Sequence, residues 1–171
     1  MIFETDRLSI QKLKGEDGIP FFDLMSNPKV MELIPQDVLT KEQSDSTLQE
    51  LIALERSSDT KIYGLYEKLN NVFIGFCGFL KNDINEDEIA YRIREQFWGK
   101  GYGTEIAKGL IAYGFANLNS DLITADVSTE NVRSIKILEK FFVKEKEFFN
   151  ENDNCIDRRY VLKKQAWIKS H

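Results

Sequence analysis

The stretch WGKGYGTE, Trp98 to Glu105, places Gly99, Gly101 and Gly103 alternately with larger residues directly ahead of a helical pattern. A strand that feeds a glycine-rich loop and then a helix N-terminus is a backbone device for holding phosphate oxygens. The first N–H groups of a helix have no intrahelical acceptor, and the helix dipole favours an anion there. The spacing excludes two such devices. A nucleoside-triphosphate loop needs GxxxxGK followed by Ser or Thr, which is absent. A dinucleotide GxGxxG needs glycine at position 104 or 106, where Thr104 and Ile106 stand. The same glycines equally suit a tight turn ahead of a helix start with Glu105 on its dipole, so the loop alone leaves both readings open.

The flanking elements must position this loop. The run Glu88 to Ile93 (EIAYRI) alternates and is β-rich, giving a strand into the loop. Behind it Ile106, Leu110, Ile111, Phe115 and Leu118 share one helical face. Leu122 to Val127 reads as another strand, and ENVRSIKILEKFF as a helix with Ile135, Leu138 and Phe142 apolar. Upstream, RLSIQKL is extended. Two or three short helices follow, broken at Pro28 and Pro35, and then KIYGLYEK and VFIGFCGFLK form a hairpin across LNN. KEKEFF and DRRYVLKK close the chain around NENDN. This order predicts an α+β (mixed α/β) domain, and the length of 171 residues predicts one domain.

Composition narrows the function. With 42% hydrophobic and 30% charged residues the chain is an ordinary globular one. A net charge of -5 argues against tracking a nucleic-acid backbone and favours cationic or amine-bearing partners. The N-terminus has no apolar leader pattern and no run is long enough to span a bilayer, so a cytoplasmic protein without membrane contact is expected. The one histidine is His171, and the two cysteines, Cys77 and Cys155, are expected to be free. Histidine triads are thereby excluded, and no metal site is expected.

WGKGYGTE resembles motif A of the GNAT superfamily of acetyl-CoA-dependent N-acetyltransferases, whose pattern is Gln/Arg-x-x-Gly-x-Gly/Ala. Gly101 and Gly103 fill its glycine positions with Trp98 at the first, a departure from the superfamily consensus that resembles the form of the RimJ/RimL-like branch, named for acetyltransferases of ribosomal-protein N-termini; Gln96, Gly99 and Gly101 match the pattern literally two residues earlier. ETDRLSIQKL is similar to that branch's opening strand, with Gln11 where arginine is common. STENVRSIKILEKFFV resembles its N-x-x-S-x-x-x-L-E-K-x-G-F segment, with Phe142 and Val143 in place of Gly-Phe. RRYVLKKQAW resembles its last strand and trailing Trp. The pieces stand in family order along nearly the whole chain.

The resemblance implies a central, mostly antiparallel twisted sheet of about seven strands flanked by about four helices. It implies acetyl-CoA as co-substrate and an amine acceptor, with transfer in a ternary complex. Backbone amides of Trp98, Gly99, Lys100, Gly101, Tyr102, Gly103 and Thr104 would surround the pyrophosphate, and a side chain at Gly101 or Gly103 would block that approach. Tyr91, Arg92 and Ile93 would pair with the peptide-like pantetheine by strand addition. Arg94 and Lys100 would add charge near the phosphates. Asn131, also a good helix cap, would meet the pantetheine arm. Glu88 is the expected general base and Ser134 the expected acid, because Leu138 stands where many members carry the acidic tyrosine. Each has a plain structural alternative: Glu88 as one of a solvated run with Glu86 and Asp87, Ser134 as a small helix residue, Trp98 as a core anchor. Glu32, Asp37 and Asp45 are read as a solvated helix face rather than an amine groove. A CoA-binding sensor that has lost the chemistry is the competing function. The acceptor stays open among a protein N-terminus, a polyamine and an amino-sugar, and a homodimer through the C-terminal strands is compatible with the pattern.

Overall fold

The computed structural model describes residues 1–34, 36–54 and 59–170. Pro35 and the end of the third helical pattern, residues 55–58, lie outside the described residues. The strands are β1 (Phe3–Glu4), β2 (Leu8–Gln11), β3 (Lys61–Glu67), β4 (Val72–Lys81), β5 (Asp87–Ile93), β6 (Leu122–Ser128), β7 (Val143–Asn150) and β8 (Cys155–Lys163). The α-helices are α1 (Gly18–Met25), α2 (Pro28–Met31), α3 (Lys41–Leu54), α4 (Tyr102–Asn117), α5 (Val132–Leu138) and α6 (Lys164–Ser170).

All eight strands form one sheet in the order β1-β2-β3-β4-β5-β6-β8-β7. Every neighbouring pair is antiparallel except β5 and β6. Central strands β3 and β4 are apolar on both faces, as the near-continuous runs YGLY and VFIGFCGFL require. One face packs under α4 and α5, whose Ile106, Leu110, Ile111, Phe115, Ile135 and Leu138 join Ile74, Phe79 and Ile123 in the larger core. The other face packs under α1 to α3 through Phe21, Leu24, Met25, Met31 and Leu48.

The parallel pair positions the site. β5 and β6 partner only at Asp87↔Ile123 and Glu88↔Thr124, yet β5 runs on to Ile93 and β6 to Ser128. The two strands diverge into a wedge, leaving strand-edge groups of β5 without a ladder partner on that side.

Two elements exceed the expected pattern. The two-residue β1 is too short for periodicity to show; it is held by pairing with Ile10 and Ser9. The segment with Trp167, which trails the last expected strand, is helix α6. Its Lys, Gln and Ala are good helix formers, and Trp167 packs against Phe115 and Phe141 with ring centroids 6.5 and 6.4 Å apart.

Candidate active site

The glycine loop forms one mouth of the wedge. Gly99 (φ 75°) and Gly101 (φ 81°) are left-handed, a conformation that a side chain strains whatever the space around it. At Gly103 a Cβ would lie 2.7 Å from Ile137 Cδ1, the tip of a cavity-lining side chain that must turn aside. Gly101 is the N-cap of α4 and offers no side-chain cap, so the first-turn amides keep their donors free. Glu105 is turned away from them. Its carboxylate accepts from Thr5 Oγ1 at 2.6 Å, from the Arg7 amide at 2.8 Å and from Arg7 Nε at 2.7 Å. Burial works to raise its pKa, but these hydrogen bonds and the Arg7 charge hold it below the ordinary range. Arg7 also donates to the Lys100 carbonyl at 2.9 Å and stacks 4.6 Å above the Tyr102 ring, clasping the loop from β2's side.

A cavity of about 680 Å³ opens at this loop, and Gly99, Gly101, Tyr102, Gly103, Thr104 and Trp98 all line it. Lys100 does not; its amine lies 5.0 Å from the Phe97 ring centre. Arg94 is drawn off to Asp23 at 2.9 Å and to the Phe73 carbonyl. The cations on the cavity wall are instead Arg92 of β5 and, from α5, Arg133 and Lys136. Sequence reading passed over the α5 pair, although their i, i+3 spacing on the helix after β6 marks a shared face. Trp98 anchors the loop and also lines the cavity. Its indole N–H donates to the Ile93 carbonyl at 2.7 Å, and its ring lies 4.6 Å beneath the Arg133 guanidinium.

On β5 the three predicted strand-edge residues are not equivalent. The Arg94 amide bonds to the Ile74 carbonyl of β4, and ladder alternation then turns the Arg92 main chain toward β4 and those of Tyr91 and Ile93 toward the wedge. The Ile93 carbonyl is already taken by Trp98, so Tyr91 is the residue whose main chain faces the opening unengaged. Arg92 presents its side chain to the cavity instead.

A second cavity, about 550 Å³, lies on the far side of the wedge. Leu33, Ile34, Tyr91, Arg92, Asn131 and Ser134 line both. At this junction the Tyr91 and Ser134 hydroxyls are 3.0 Å apart. Burial pushes the Tyr91 phenol up to about 12 against the opposing Ser134 hydrogen bond, so it keeps its proton. Leu138 does stand where a tyrosine was sought, but the neighbouring strand brings Tyr91 to Ser134. Asn131 caps α5, accepting from the Ser134 amide at 3.2 Å, and donates to the Leu33 carbonyl at 3.4 Å.

Glu88 lines the second cavity. Its neighbours in the acidic run are committed elsewhere: Asp87 to Lys81 at 2.8 Å and to Ser120, Glu86 to Asn82 at 3.0 Å. Burial first, then the Asp126 charge, pushes the Glu88 carboxyl up to about 8, with Arg159 opposing. Asp126 is held by Arg159 at 2.8 and 2.7 Å, and Arg159 also meets Asp83 at 2.7 Å. Asp83, Asp126, Glu151, Asp153 and Asp157 share the wall with Glu88. The early acids Glu32, Asp37 and Asp45 are exposed and line neither cavity, as a solvated face requires. Cys77 is buried, which pushes its thiol up, and Cys155 is pushed up to about 11 by burial and by Asp157. Among the described residues no cluster of His, Cys, Asp or Glu is arranged to hold a metal ion, and no helix is long and apolar enough to cross a membrane.

One mixed sheet split between two parallel strands, with a glycine loop at its mouth, marks a ligand-binding α/β protein. Residues 7–141 match the family described as acetyltransferase (GNAT) domain, and this chain belongs to that family. It is 32% identical over 137 residues to the uncharacterized N-acetyltransferase p20 of Bacillus licheniformis, covering 78% of this chain and 77% of the relative. A GNAT-family acetyltransferase structure from Bacillus anthracis superposes with TM-score 0.83 at 23% identity, covering 95% of this chain and 98% of that one. RimL, a ribosomal-protein α-N-acetyltransferase solved with coenzyme A, superposes with TM-score 0.80 at 18% identity, covering 96% and 98%. At these identities the structures establish a shared fold, and RimL fits the branch that the loop resembles.

Proposed function

We propose that this chain transfers an acetyl group from acetyl-CoA directly to a primary amine. The observation that carries the reading is the meeting of a loop cavity and an acid-lined cavity at Tyr91, Asn131 and Ser134. The residues fit the donor: uncapped amides at the start of α4 suit a pyrophosphate, Arg133 and Lys136 add charge, and the Tyr91 main chain offers a strand edge to an amide-bearing arm. Acetyl-CoA supplies an activated acyl carbon and a thiol leaving group.

Ionised Glu88 takes a proton from the acceptor ammonium, directly or through water, and the free amine forms the new C–N bond as the C–S bond breaks. Ser134 gives its proton to the departing sulfur and takes one from Tyr91, whose phenol is protonated at neutral pH, while the second proton lost by the acylated nitrogen passes through water to restore the phenol. Neither cysteine has a lowered pKa, which supports a ternary complex over an acetyl-enzyme. The Tyr91 hydroxyl also favours catalysis over a binding-only sensor, because it restores the phenol that Leu138 lacks.

Acetyl-CoA at about a hundredfold its Kd is expected to raise the melting temperature by about 5 to 10 °C, with ATP and NAD producing little change. Equal shifts with ATP would sink the assignment. For the loop itself, Arg7→Ala is the informative variant, since a side chain at Gly101 brings backbone strain of its own. Without the clasp on Lys100 and Glu105, acetyl-CoA Kd by calorimetry rises roughly tenfold to a hundredfold, the scale of small misplacements at a binding site. An unchanged Kd would reduce the clasp to a stability device.

A further inference from the structure

Of the six residues lining both cavities, Arg92 alone is charged. Among the described residues no carboxylate pairs with it. Its Nη1 rests on the thioethers of Met25 and Met31 at 3.3 and 3.5 Å, both weak acceptors, and its guanidinium lies 5.2 Å from the Phe76 ring centre. Arg159 is answered by Asp126 and Asp83, Arg94 by Asp23 and Arg7 by Glu105, while Arg133, over the Trp98 ring, lines only the first cavity. A partly buried guanidinium held by sulfur and an aromatic face is fixed in direction yet electrostatically unsatisfied. Burial lowers its pKa to about 10, opposed by the more distant Asp153, so it remains a cation at neutral pH.

The charge pattern limits what Arg92 can receive. Six carboxylates, Asp83, Glu88, Asp126, Glu151, Asp153 and Asp157, line the second cavity with Arg92 and Arg159 as the cations, and Arg159 is already engaged by two of them. A dianionic phosphate would meet more repulsion than one free guanidinium offsets; a single carboxylate matches its planar fork. Glu88 and Arg92 lie on the same face of β5, pairing with Leu80 and Phe76, and are four residues apart, or about 13 Å along the strand. The cation-accepting and anion-accepting ends of the acceptor site are therefore well separated.

We propose that the acceptor is a small amine bearing a carboxylate several bonds from its nitrogen, with the ammonium directed toward Glu88 and the carboxylate on Arg92. This rests on the acetyltransferase reading above and narrows it, setting the acceptor apart from a polyamine or an uncharged amino-sugar face.

The test compares 6-aminohexanoate with 6-aminohexanamide, which differ only in the anion, by thiol release at saturating acetyl-CoA. Wild-type kcat/KM is expected to favour the acid roughly tenfold to a hundredfold, the range for a hydrogen bond to a charged group. In Arg92→Met, whose side chain suits the thioether nest, that ratio falls to near one while the acetyl-CoA melting shift persists. Arg92→Lys, which keeps the charge without the fork, retains an intermediate ratio and serves if the methionine variant does not fold. A wild-type ratio near one overturns the inference, as does a high ratio that survives Arg92→Met. Turnover of hexylamine or a peptide N-terminus but of neither probe overturns it too, leaving the acetyltransferase reading intact. Thiol release with no amine at all, despite bound acetyl-CoA, removes that reading and the inference together.

Discussion

Glu88→Gln is expected to lower kcat by about a hundredfold to ten-thousandfold at pH 7.5, the ordinary range for loss of a general base, with acetyl-CoA affinity retained. The pH profile carries the sharper signature. The carboxyl is pushed up to about 8 by burial and by Asp126, and only its ionised form can accept the ammonium proton. Wild-type turnover therefore climbs as pH rises and bends near pH 8. Glu88→Gln loses that bend and keeps only the slope from deprotonation of free amine. The same shift sets a sign for stability. The folded carboxyl holds its proton to about pH 8 while the unfolded one releases it near pH 4.3, so the native state binds the extra proton between those values. Stability relative to a neutral isostere is intact below that window and falls as pH rises through it. Melting curves should show Glu88→Gln gaining on wild type from about pH 4.3 to about pH 8 and levelling off above it. A constant difference would mean that Glu88 is solvated and titrates normally.

Removing the other end of the proton path should cost nearly as much. Ser134→Ala lowers kcat by about 10- to 1000-fold with little change in KM for acetyl-CoA, because the interaction exists only as sulfur departs. Tyr91→Phe lowers kcat too, by less, since Ser134 can then be resupplied by water. The double variant should fall little below Ser134→Ala alone, the non-additivity of residues acting in series. Full additivity would separate the two hydroxyls, and a wild-type rate in Ser134→Ala under chemistry-limited conditions would leave solvent as the acid.

Much of this was legible along the chain. Alternation located β5 and β6, helical spacing located α4 and α5, and the glycine pattern located the loop, because each signal is local. The β5–β6 wedge was not, since it depends on where a register stops between strands separated by all of α4. Glu88 could not be told from Glu86 and Asp87 by type; Lys81, Ser120 and Asn82 make the distinction by engaging the other two. The sequence marks Tyr91 for its main chain, and its hydroxyl meets Ser134 only because α5 sets that residue beside β5. Gly103 shows the converse: the sequence does not reveal that its open side faces the tip of Ile137.

The clasp from Arg7 to Glu105 and to the Lys100 carbonyl joins segments about a hundred residues apart. Contacts of such long sequence separation close late in folding, because the intervening chain must first be ordered. On a nascent or refolding chain the helices and hairpins can therefore form before the loop takes its working shape. A refolding time course should recover far-UV helicity before it recovers the capacity to retain acetyl-CoA.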